Sequence, residues 1–79
     1  MTKTFLLFTT PTCPNCPPAK AMLKKSGLQG EYIDASKPEG LQKASEYDIM
    51  EVPTAVFFED GEVVKIASDK DEIEDELNK

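Results

Sequence analysis

The sequence contains no histidine. That removes the commonest general base and the commonest metal ligand together. Basic residues are scarce as well: nine Lys and Arg stand against fifteen Asp and Glu, a formal charge of -6. Phosphate recognition needs a basic face, so nucleic acid is not an expected partner. A basic protein partner, steered by charge, suits the balance better. No stretch approaches the roughly 18 apolar residues of a membrane span. The opening M-T-K-T-F-L-L-F has only four apolar residues in succession, short of the about 7–15 in a signal peptide's apolar region. A cytoplasmic chain without membrane association is therefore expected. Repeats, linkers and low-complexity stretches are also missing. Only the end, D-K-D-E-I-E-D-E-L-N-K, is charge-biased, and it reads first as a solvated helix face rather than a docking surface.

What is present suits one small domain over residues 1–79, with 39% apolar and 30% charged residues in ordered runs. Residues 4–9, T-F-L-L-F-T, read as a strand buried on both faces. Residues 19–25 read as a helix whose inner face carries Ala19, Met22 and Leu23, stopped by Gly27. Residues 31–34, E-Y-I-D, are a second strand. S-K-P-E then opens a helix, with Ser36 and Glu39 at capping-box spacing and Pro38 in the donor-free first turn. Leu41, Ala44 and Ser45 are its expected inner face, and Gly40 is expected to weaken it by about 1 kcal/mol relative to Ala. Residues 55–58 and 63–66 are strands joined at Asp60-Gly61, a hairpin signal. A last helix starts near Ser68 or Asp69, with Asp69 and Glu72 at capping-box spacing and Ile73 and Leu77 as i, i+4 neighbours. The order β-α-β-α-β-β-α requires one parallel βαβ pair and one antiparallel hairpin. The outcome is an α/β fold, a four-stranded mixed sheet flanked by three helices.

The chain has two cysteines, Cys13 and Cys16, in T-C-P-N-C-P. Structural zinc wants four ligands, and a single pair without histidine supplies two. A disulfide closing so small a loop removes little chain entropy, and a reducing compartment would not preserve it passively. The third reading is redox catalysis. A Cys-x-x-Cys pair after a buried strand brings its first thiol to a helix start. There, free N–H groups and the positive dipole end favour a thiolate. The second thiol, one turn on, can then resolve a mixed disulfide. One feature opposes this: Pro17 and Pro18 follow Cys16 directly. Proline lacks the donor and pushes its predecessor from the α region, so either the first turn is distorted or regular helix begins only near Pro18.

C-P-N-C, the element order, and V-P-T before an apolar strand together resemble the thioredoxin/glutaredoxin superfamily over almost the whole chain. The resemblance implies a thioredoxin fold and a thiol–disulfide oxidoreductase with no cofactor beyond its own disulfide and no metal. Cys13 is then the nucleophile and Cys16 the resolving thiol, with Thr12, Pro14 and Asn15 shaping the loop. Thr12 is either a hydrogen-bonding partner of the thiolate or backbone, or a residue chosen for turn propensity. Lys20 adds a positive charge at modest distance, or is a solvated helix lysine. Pro53 is a cis-proline, and Val52, Pro53 and Thr54 hold an extended substrate segment by β-augmentation. The chain departs from thioredoxins at Thr12, where they carry Trp, and at Leu7, where they carry a buried Asp. It departs from glutathione-using glutaredoxins at Thr10, where they carry Lys or Arg, and A-S-D-K (residues 67–70) matches their Gly-Gly-x-Asp-like segment only in part. The implied partners are protein disulfides and an NADPH-linked flavoprotein reductase, with ribonucleotide reductase or a peroxidase as electron acceptor and glutathione less favoured. A monomer suffices. With no histidine beside Cys13, the expected potential lies in the roughly -270 to -200 mV span of thioredoxins and glutaredoxins.

Overall fold

The computed structural model describes residues 2–78. Lys79, the last residue of the acidic end, lies outside them. Seven elements follow in order: β1 (Lys3–Thr9), α1 (Cys16–Ser26), β2 (Gln29–Asp34), α2 (Pro38–Glu46), β3 (Thr54–Glu59), β4 (Glu62–Ala67) and α3 (Lys70–Leu77). The sheet order is β2-β1-β3-β4. β1 pairs parallel with β2 and antiparallel with β3, and β3 pairs antiparallel with β4.

Two-residue alternation explains the apolar run of β1. Phe5 and Leu7 join Ala19, Leu23, Ala55, Phe57, Ala67 and Ile73 in one core cluster, beneath α1 and α3. Phe8 belongs to the opposite face with Ala44 and Val56, over which Tyr47, Ile49 and Val52 pack. β1 and β3 are thus covered on both sides, while β2 and β4 are the edges.

Local chemistry sets the turns. Asp60 (φ 55) and Gly61 (φ 88) both take the left-handed region that a type I′ hairpin demands. Gly27 (φ 76) closes α1, and Ser26 Oγ donates to the Leu23 carbonyl at 2.6 Å. Asp69 caps α3 by accepting from the Glu72 N–H at 2.8 Å. The Glu72 carboxylate reaches back to the N–H of Ser68, one residue before the cap.

The second helix differs from its sequence reading in three ways. Lys37, not Ser36, is the N-cap, without a side-chain cap bond. Ser36 instead donates both its N–H and its hydroxyl to Asp34 Oδ1, at 2.9 and 2.5 Å. The Asp34 carboxylate wins this hydroxyl because charge-assisted bonds are the stronger ones. Nor are Leu41 and Ser45 on the inner face: Leu41 is 56% exposed, and Gly40 and Ala44 are the buried pair. Gly40 is where the helix touches the sheet. A Cβ there would overlap the Asp34 carbonyl. Absence of a side chain lets α2 approach the end of β2, so the expected weakening reverses into a packing requirement.

Gly40→Ala should therefore destabilise the protein by about 1–3 kcal/mol, the usual cost of overpacking. Chemical denaturation checks it, and an equal or higher midpoint would contradict the close approach.

Candidate functional site

The two cysteines sit where β1 ends and α1 begins. Their sulfurs are bonded, with Cα atoms 5.4 Å apart. Cys13 lies in the connecting loop and is half-buried, whereas Cys16 is the first residue of α1 and only 4% exposed. Thr12, Pro14 and Asn15 are exposed.

α1 begins at Cys16, two residues earlier than a start near Pro18 would give. Both prolines fall in the first turn, where no donor is required. Asn15 is the N-cap in an α-like conformation (φ -95, ψ -5), and its side chain makes no cap bond. The reason is chemical: a cap side chain bonds the N–H of the second or third helical residue, and here these are Pro17 and Pro18. The remaining first-turn donor, the Cys16 N–H, points at the Cys13 carbonyl at 3.4 Å. The expected set of free N–H groups behind Cys13 is correspondingly depleted.

Strand register brings the other site residues to this edge. Phe8 is paired with Thr54, so Pro53 stands one residue beyond the end of that ladder, next to where Thr9 leads into the cysteine loop. The Val52–Pro53 bond is cis. Pro53 is buried and Val52 half-buried. Thr54 is 2% exposed, and its hydroxyl donates to the Glu51 carbonyl at 2.5 Å, which commits it to the turn before β3. The preceding loop is tied to α2 by the Ile49 N–H bonding the Ala44 carbonyl at 2.9 Å.

On the opposite flank a groove of about 510 Å³ opens beside the disulfide. Its lining includes Cys13, Cys16, Lys20, Tyr32 and Asp34. Lys20 Nζ stands 5.0 Å from the Tyr32 ring centroid, a cation–π distance. The Ser36 hydroxyl and N–H hold the Asp34 carboxyl below its ordinary value, with Lys37 assisting. Asp34 is therefore ionised beside the cysteines at neutral pH. Sequence reading passed over Asp34 and Tyr32. The parallel register that pairs Thr9 with Asp34 is what places them here, and strand ends of this kind are common sites. Leu7 is fully buried in the core cluster under α1 and α3, so the position that thioredoxins fill with an acid is apolar. Among the described residues, no group of three or more His, Cys, Asp or Glu is arranged to hold a metal ion, and no helix is long and apolar enough to cross a membrane.

The Glutaredoxin family model matches residues 5–64. A thioredoxin of Methanocaldococcus jannaschii is 42% identical over 64 residues, covering 73% of each chain. The chain belongs to the thioredoxin/glutaredoxin superfamily. Its fold is that of Fasciola hepatica thioredoxin (TM-score 0.75, 23% identity, 98% of this chain and 77% of that one). A malaria parasite thioredoxin-2 superposes at TM-score 0.80 with 17% identity, over 98% and 79%. The protein is a thiol–disulfide oxidoreductase whose redox-active group is the Cys13–Cys16 disulfide. Proteins of this kind act on protein disulfides and need no external cofactor for the exchange.

Two outcomes follow from the geometry. In the reduced protein, limiting alkylating reagent should label Cys13 well ahead of Cys16; peptide mass mapping decides, and equal labelling would contradict the exposure difference. The Asp34 pairing contributes stability that is present above the ordinary value of 3.8 and is lost as pH falls through the lowered one. Ser36→Ala should move the Asp34 titration midpoint, read by carboxyl NMR, upward toward 3.8.

Proposed function

We propose that this protein is a small electron carrier of the cytoplasm that reduces protein disulfides by dithiol exchange. The Cys13 thiolate attacks one sulfur of the substrate disulfide. A Cys13–substrate bond forms, and the other substrate sulfur leaves as a thiolate. The Cys16 thiol gives up its proton and attacks Cys13 Sγ. The substrate's second thiolate leaves, and the Cys13–Cys16 bond closes. Two electrons have passed to the substrate, and an NADPH-linked flavoprotein reductase returns them. The observation that carries the assignment of roles is the difference in access: Cys13 half-buried in the loop, Cys16 4% exposed on the helix. An incoming disulfide meets Cys13 first, and Cys16 is the internal attacker.

The remaining roles accompany this one. The Val52 backbone, beside cis-Pro53, pairs with an extended segment of the substrate. Met50, 94% exposed on the same loop, offers that partner an apolar contact. Pro14 and Asn15 set the loop between the cysteines, and Thr12 borders it. Ribonucleotide reductase or a peroxidase is the proposed acceptor, and the monomer is the working unit. The 42% identity to a thioredoxin over 73% of the chain supports a reductase as the electron source, as does Thr10 in place of a basic residue. A glutathione-dependent activity is the second reading, favoured by the match to the Glutaredoxin family.

Disulfide reduction should proceed with NADPH and a thioredoxin reductase, and at least tenfold more slowly with glutathione and its reductase. Activity with glutathione alone would overturn the reductase assignment. A Cys16→Ser variant should accumulate a covalent complex with a disulfide substrate through Cys13. If Cys13→Ser traps instead, the two roles are exchanged.

A further inference from the structure

The start of α1 is unusual in what it withholds. A helix normally presents the N–H groups of its first three residues along its axis, unpaired. In α1 these positions are Cys16, Pro17 and Pro18. The two prolines have no N–H. The Cys16 N–H donates to the Cys13 carbonyl at 3.4 Å, which sets the start of α1 against the Cys13 backbone. Amides at positions 17 and 18 would be aimed from the same helix end toward the Cys13 segment, and they are absent by covalent structure. The backbone dipole survives; the hydrogen-bond donors do not.

We propose that Pro17 and Pro18 are positioning residues that keep the Cys13 thiol less acidic and the redox pair more reducing than a donor-complete helix start would. This rests on Cys13 being the nucleophile. The energetic chain is short. Reduction converts the Cys13–Cys16 bond into two thiols by uptake of two electrons and two protons. Whatever stabilises the Cys13 thiolate stabilises the reduced form and makes the disulfide a stronger oxidant. Withholding two donors acts in the opposite sense. The other groups facing the pair across the groove are Lys20 from α1 and Tyr32 and Asp34 from β2. Lys20 favours the thiolate and the ionised Asp34 opposes it, so the two side-chain charges act in opposite senses. Local backbone chemistry is then the adjustable element, and it lies outside the Cys-x-x-Cys motif itself.

The test compares wild type with Pro17→Ala, Pro18→Ala and the double variant. Each is fully reduced, checked by circular dichroism, and alkylated across a pH series with mass mapping of the labelled cysteine. Expected is a downward shift of the Cys13 alkylation midpoint and a roughly two- to tenfold gain in thiolate fraction at neutral pH, the size of one helix-terminus interaction. Equilibration with a dithiol of known potential should show the variants more oxidising, a tenfold change in equilibrium constant being about 30 mV. Folded variants whose midpoint and potential stay put, or move the other way, overturn the inference. Preferential labelling of Cys16 in wild type would instead overturn the assignment of the nucleophile, so the two failures are told apart. If the double variant fails to fold, the single variants still decide the matter.

Discussion

Everything at the redox end depends on the central strand. β1 is hydrogen-bonded along both edges and packed on both faces, with Phe5 and Leu7 under two helices and Phe8 under the third. A strand held on four sides cannot shift register without turning its apolar set to the wrong face. Its last residues therefore act as a fixed origin. Thr9 is paired with Asp34, and Phe8 with Thr54. The chain leaves this point for the cysteine loop, with the groove of Lys20, Tyr32 and Asp34 on one side and cis-Pro53 on the other.

The two flanks differ in character. The Pro53 side is a loop tied to α2, with a half-buried Val52, an exposed Met50 and the exposed acidic residues Asp48 and Glu51. The groove side is charged, with a lysine held over an aromatic ring and a carboxylate kept ionised by a serine. Between them, the cysteines are presented unequally, one in the loop and one at the helix start. This inequality is what a two-step exchange requires, because the first thiol must meet an external disulfide and the second only its neighbour.

Prolines open both α1 and α2, and in α1 they stand beside the redox pair. Two consecutive prolines would break a helix interior, yet α1 tolerates them because its first turn has no use for their missing donors. The same positions are where a thiolate would look for amides. Under the proposed tuning, one pair of residues sets both structural tolerance and the acidity of Cys13.

Local signals were legible in the amino-acid order: the Asp60-Gly61 hairpin, the Asp69 cap, the Gly27 stop and the Cys-x-x-Cys at a strand-to-helix junction. Each is decided within a few residues by backbone preference or by short-range hydrogen bonding, so the sequence by itself determined them. Tertiary structure decided the rest, because those features require segments remote in the chain to meet. Gly40 reads as a weak helix residue until the Asp34 carbonyl is found against it. Asp34 reads as the end of a strand until parallel pairing with β1 brings it beside the cysteines. Leu41 has the spacing of an inner-face residue but is exposed, because close approach at Gly40 sets the rotation of α2. The start of α1 at Cys16 is decided the same way. With Cys16 buried and the helix packed through Ala19 and Leu23, packing outweighs the local bias against a helical residue before proline.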